Sequence, residues 1–244
     1  MQTTETAPVS ASPAPRTWRS RLRRARGSFW FNLLAACLVT ILLQNFIAKV
    51  YYVPSGSMEN TLLVGDRILV NRLDYVFNEP QVGDVAVFAA SDAWEEAATA
   101  PMNPLEYAVR WVGGFVAVGP SLESLLVKRI VAGPGQTLSC CDSEGRMLLD
   151  GVPLEEDYIF GDLDFEAGRS DCTTEPVSRR CFGEITVPAG KYLVMGDHRS
   201  NSSDSVIFCR GVLDGAGCAR FVDRDELVGP ALATILPIGH WRSL

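Results

Sequence analysis

The sequence predicts a mainly β protein: an antiparallel β-sheet domain with a smaller inserted β region, preceded by one N-terminal transmembrane helix. Three observations predict this. After residue 50 the apolar residues fall into short runs rich in Val, Ile and Leu, each closed by Gly, Pro, Asn or Asp, as in strands joined by turns. No long segment after residue 50 carries the 3.6-residue periodicity of an amphipathic helix. Only one stretch of the 244 residues is long and apolar enough to span a bilayer.

The N-terminal elements set an address. Residues 1–15 are rich in Thr, Ala, Pro and Ser, with little to bury, and read as disordered. Arg16, Arg19, Arg21, Arg23, Arg24 and Arg26 complete a basic tail over 1–27. An apolar run over 28–47 follows, about 30 Å long as a helix, and the anchor is assigned to 28–49. The arginines hold the tail in the cytoplasm, which puts 50–244 outside the cytoplasmic membrane. Trp30, Tyr51 and Tyr52 fall at the two interfaces. A cleavable signal peptide has the same polarity, but its apolar region spans about 7–15 residues and ends in a small-x-small site. Here the chain runs Phe46-Ile47-Ala48-Lys49-Val50-Tyr51, so a retained anchor is the better reading.

In the exported body, strands are expected over 65–72, 81–89, 108–118, 125–132, 146–149, 184–187, 191–196 and 226–236. Residues 90–106 and 160–183 read as loops, and the inserted region spans about 137–190. Six of the 22 basic residues but only one of the 29 acidic ones lie before residue 27, leaving 16 basic against 28 acidic side chains afterwards. Phosphate backbones repel such a body, which argues against nucleic acid as a partner. Six of the seven cysteines lie in this exported part, a disulfide-permissive setting. Cys172/Cys181 and Cys209/Cys218 are each spaced to close a small ring. No metal-ligand spacing is present, so a zinc site is not expected.

Three segments carry candidate chemistry. Pro54-Ser55-Gly56-Ser57-Met58 sets two serines around a glycine just beyond the anchor. A serine nucleophile needs a base. With only His198 and His240 in the chain, that base is either His198 or a lysine kept neutral by burial. Lys128, one of three lysines, stands inside the apolar run Leu125-Leu126-Val127-Lys128-Arg129-Ile130-Val131. The loop from Met195-Gly196-Asp197-His198 to Ser202-Ser203-Asp204 is dense in hydrogen-bonding groups. Each segment alone also reads as a turn or an edge strand.

In order along the chain, these segments resemble the bacterial type I signal peptidases, the Ser/Lys enzymes that cleave leader peptides. The likeness extends to Gly65-Asp66, Gly83-Asp84-Val85, Pro134-Gly135 and Leu227-Val228-Gly229. The resemblance implies Ser57 as nucleophile and Lys128 as general base. It implies an oxyanion hole from the Ser57 amide and the Ser55 hydroxyl, with Ser202 orienting the lysine amine. It further implies that Asp204 braces the loop, that Asp197 and Arg129 form a structural ion pair, and that no metal or cofactor takes part. The substrates implied are signal peptides of secretory preproteins with small residues, Ala-x-Ala, before the cut. Val53, Leu126 and Val127 are candidates for the pockets that receive them. The lipid bilayer and the export translocon are the other partners implied. The sequence departs from the pattern at Asn60, where proline is common, and at His198, where asparagine is usual. It departs again at Val206, where an arginine normally pairs with Asp204, leaving Arg199 or Arg210 as substitutes.

Overall fold

The structure, a computed structural model, describes residues 29–91, 94, 103, 125–214 and 217–244. The expected tail over 1–27 and the strand expected at 108–118 lie outside the described residues. Helix α1 (Phe29–Phe46) takes up the apolar run, but it is 18 residues long, about 27 Å. Among the described residues, no helix is long and apolar enough to cross a membrane. The expected span of 28–49 is therefore shortened at its outer end. The reason is local: residues from Ala48 onward alternate between buried and part-exposed positions, and they pair as a strand instead of continuing the helix.

Strand β1 (Ala48–Tyr52) pairs antiparallel with β2 (Arg67–Asn71). Beyond a single-turn helix α2 (Asp74–Phe77) come β3 (Val85–Ala89) and β4 (Leu125–Ala132). Gly65 and Gly83 take positive φ, 98° and 101°, in the tight turns just ahead of β2 and β3. The chain then builds β5 (Thr137–Cys140), β6 (Met147–Leu149), β7 (Val152–Pro153) and β8 (Phe182–Thr186). These four form a separate sheet in the order β7-β6-β5-β8. Strands β9 (Lys191–Met195), β10 (Val222–Asp223), β11 (Leu227–Leu236) and β12 (Arg242–Ser243) return to the first sheet. That sheet runs β1-β2-β11-β3-β4-β9-β10, with β12 paired on β11, and every pairing is antiparallel.

Because side chains alternate along a strand, the central strands feed two cores at once. Val85 and Val87 of β3 pack with Val53, Met58, Leu62, Ile68 and Val70, while Leu125 and Val127 lean on the same cluster. Ala86 and Phe88 pack on the other face with Trp94, Ile130, Tyr192 and Val194, and Leu126 leans there. A third core joins β4 and β9 to the smaller sheet through Val131, Leu138, Met147, Phe182, Ile185 and Met195. Disulfides close Cys172–Cys181 and Cys209–Cys218, the two rings the spacing suggests, and a third links the neighbours Cys140 and Cys141.

Candidate active site

Lys128 sits in β4 opposite Ala86 of β3 and is only 4% exposed. By strand alternation its side chain shares a face with Leu126 and Ile130. Burial is the main influence on its amine and pulls the pKa down from 10.5 to about 8. The fields of Asp204 and Asp197 act weakly the other way, and Arg220 reinforces the lowering. Among the described residues, no carboxylate forms an ion pair with Lys128. In this environment a lysine keeps roughly a tenth of its amine neutral at pH 7, against under a thousandth at its ordinary pKa.

The other candidates converge on Gly196. Arg129 of β4 pairs with Met195 of β9 at the end of that ladder, so Lys128 and Gly196 are the residues next to its last pair on the two chains. Gly196 is hemmed in: a Cβ there would collide with the Ser202 side chain and the Ser57 carbonyl. The backbone N–H of His198 donates to that same carbonyl at 3.1 Å. Ser57 and Ser202 are both buried, and the Ser202 hydroxyl has no hydrogen-bond partner among the described residues. A buried hydroxyl left unpaired is costly unless something is to be bound there. Ser55 lies two residues before Ser57, and its side chain is exposed.

Asp197 and Arg129 form a bidentate pair, Nε to Oδ1 at 2.9 Å and Nη2 to Oδ2 at 2.7 Å. Arg129 also donates to the Gly83 carbonyl at 2.8 Å, and its guanidinium lies 3.9 Å from the centre of the Tyr158 ring. The Thr61 hydroxyl donates to Asp197, which fastens the turn after Ser57 to the same pair. Asp204, fully buried, pairs with Arg210 at 3.0 Å. Arg210 thus takes the place left by Val206, and the Cys209–Cys218 ring starts at its neighbour. Arg199, the other candidate, is committed elsewhere, to Glu156 at 2.5 Å.

The three proposed pocket residues do not share one surface. Val53 and Val127 belong to the cluster with Met58 and Leu62, whereas Leu126 lies on the opposite face with the lysine. Leu126 therefore shares a face of β4 with Lys128 and not with Val127. Along 125–128, β4 pairs with β3 on one side only, since β9 joins at Arg129. The other edge has no strand partner among the described residues.

Sequence reasoning missed the contribution of the inserted region. Phe160 N–H donates to the Asp197 carbonyl, and Arg199 and Ser200 donate back to Phe160 and Gly161. Tyr158 and Glu156 hold Arg129 and Arg199. Nothing in the stretch Leu154-Glu155-Glu156-Asp157-Tyr158 signals such a role, because the two anchoring arginines are over 25 residues away in the chain.

A family model described as signal peptidase, peptidase S26, matches residues 27–236. Signal peptidase I of Mycobacterium tuberculosis is 35% identical over 221 residues, covering 86% of this chain and 73% of that protein. The probable signal peptidase I of Mycobacterium leprae is 33% identical over 235 residues, covering 89% and 80%. Probable signal peptidase I-1 of Synechocystis is 30% identical over 212 residues, covering 87% and 83%.

Proposed function

The chain belongs to the signal peptidase family, peptidase S26, and on that premise we propose that it removes N-terminal signal peptides from exported preproteins with a Ser57/Lys128 dyad. One observation carries the reading: Lys128 is buried, forms no ion pair with a carboxylate among the described residues, and has its amine pulled down to about 8 by that burial. The Lys128 amine takes the proton of the Ser57 hydroxyl as Oγ attacks the scissile carbonyl carbon. The developing oxyanion is met by the Ser57 amide and the Ser55 hydroxyl. Lys128 then gives its proton to the departing amine, leaving an acyl-serine. Water, deprotonated by the same amine, releases the signal peptide. The role assigned to Ser202, whose buried hydroxyl has no partner among the described residues, is to accept a hydrogen bond from the amine as the substrate binds and so aim it without adding countercharge, while the buried Asp204–Arg210 and Asp197–Arg129 pairs hold the loop. These steps need no metal or cofactor.

The peptide lies extended along the open edge at 125–128, as a strand added to the sheet. Val53 and Val127, backed by Met58 and Leu62, form shallow pockets that admit small side chains, hence Ala-x-Ala. We place the basic tail in the cytoplasm, the span within 28–49 in the lipid bilayer and the catalytic domain outside, within reach of the export translocon. Helix α1 falls about 3 Å short of a 30 Å hydrocarbon core, a mismatch that thinning of the bilayer accommodates at modest cost.

The test is cleavage of a purified Ala-x-Ala preprotein, read as its new N-terminus. Ser57→Ala and Lys128→Ala each abolish cleavage, and the double variant is no worse, because groups acting as one unit are not additive. His198→Ala keeps substantial activity. A dead His198→Ala protein beside an active Lys128→Ala protein would reverse the assignment.

A further inference from the structure

Beside the nucleophile turn lies a cavity of about 500 Å³ that the mechanism above does not use, walled by Glu59, Phe160, His240, Trp241 and Arg242 among others. It is joined to Ser57 by short links. The Glu59 amide closes a turn on the Gly56 carbonyl at 3.1 Å, and the Glu59 carboxylate lies directly against Gly56. The same carboxylate is 3.4 Å from Nε2 of His198, whose backbone N–H holds the Ser57 carbonyl. The His198 ring stands edge-on to Phe160, with 5.0 Å between centroids. Gly161 leaves room for that ring, since a Cβ there would collide with it.

The far wall is also tied in place. Arg242 donates to the Asn60 carbonyl at 2.7 Å, and His240 Nδ1 lies 2.8 Å from the carboxylate of the buried Asp66. The cavity is therefore preformed, and its size suits one or two amino-acid residues. Two large rings border it with much of their surface in water: Phe160 is 48% exposed and Trp241 74%.

The occupant follows from the binding mode proposed above. That mode gives residues before the cut 53–55 and the open edge of β4, whereas the cavity, which that mode leaves free, is tied to the nucleophile turn through Glu59 and His198. We propose that it receives the polypeptide immediately after the scissile bond and seats an aromatic side chain from the first few mature residues between Phe160 and Trp241. This rests on reading the site as a signal peptidase.

The test uses precursor peptides that share one Ala-x-Ala site and carry either Phe or Ala at each of the first four positions after the cut. At one of these positions Phe should raise kcat/KM about two- to tenfold, the value of one aromatic pair. Trp241→Ala and Phe160→Ala should each bring the Phe/Ala ratio to about one. A second arm needs no turnover. A fluorescein-labelled peptide carrying only the mature residues binds the Ser57→Ala protein, read by anisotropy, and Trp241→Ala in that background weakens it by the same factor. A wild-type ratio near one at all four positions, a ratio that survives both substitutions, or equal binding with and without Trp241 overturns the proposal. If no precursor is cut at all, the peptidase reading fails, and the anisotropy arm still decides the cavity.

Discussion

Placing a carboxylate at residue 126 should disable the lysine without touching it. Leu126 and Lys128 project from the same face of β4, and two strand residues separate them by about 7 Å. At an effective dielectric near 20, opposite unit charges at about 7 Å attract by about 2.4 kcal/mol. At 1.36 kcal/mol per pKa unit this moves the amine from about 8 to about 9.7. The sign follows from the role: the base acts when neutral, and a nearby anion favours its charged form, so activity shifts to higher pH. At pH 7 the neutral share falls from about 9% to about 0.2%, a loss of about 50-fold in kcat/KM. The assay is the pH profile of kcat/KM on one Ala-x-Ala peptide for Leu126→Asp, with Leu126→Asn as the uncharged counterpart. Leu126→Asn should keep the wild-type midpoint near 8 whatever it does to the plateau. Identical midpoints for the two variants, or a wild-type profile that rises only above pH 10, would refute the buried-lysine argument.

Ser55→Ala should lower kcat by about 10²–10³ with KM little changed, since the lost donor acts on charge present only in the transition state; an unchanged kcat would make Ser55 a turn residue. Arg210→Met leaves the fully buried Asp204 without its partner, and urea unfolding should show a loss of about 3–5 kcal/mol. A loss below about 1 kcal/mol would mean that another group neutralises Asp204. Non-reducing peptide mapping should recover the Cys172–Cys181 and Cys209–Cys218 links; recovery of all six cysteines after residue 50 as thiols would contradict both rings.

What was legible in the sequence was whatever local chemistry dictates. The runs at 125–132, 191–196 and 226–236 are dense enough in branched apolar residues to coincide with β4, β9 and β11 almost residue for residue. The two nine-residue cysteine spacings were likewise enough to suggest their rings. Strand β1 was not legible, because Ala48-Lys49-Val50-Tyr51-Tyr52 continues an apolar run. Its alternation emerges only once Arg67–Asn71 lies alongside. Strands β7, β10 and β12 are two residues long and exist only through their partners. In the site, the motifs drew attention to Ser57, Lys128 and the Gly196–Asp204 loop. Which arginine neutralises Asp204 depended on how the chain folds back after Val206. The separation of Leu126 from Val127 could have been read from strand parity alone.

The contacts of 156–161 bear on how short this enzyme can be made. On length alone, the smaller sheet looks like an appendage that a minimal version could lose. Excision between β5 and β8 would strip three backbone hydrogen bonds from the 197–200 loop and remove the ring stacked on Arg129. It would also leave the nearly inaccessible Arg199 guanidinium with no counterion from Glu156. A buried charge that loses its partner is among the most destabilising changes a fold can suffer. Any truncation, natural or engineered, must therefore keep the Glu156–Gly161 hook or replace Arg199 in the same step, and must also keep Leu138, Met147, Phe182 and Ile185, which share a buried core with β4 and β9.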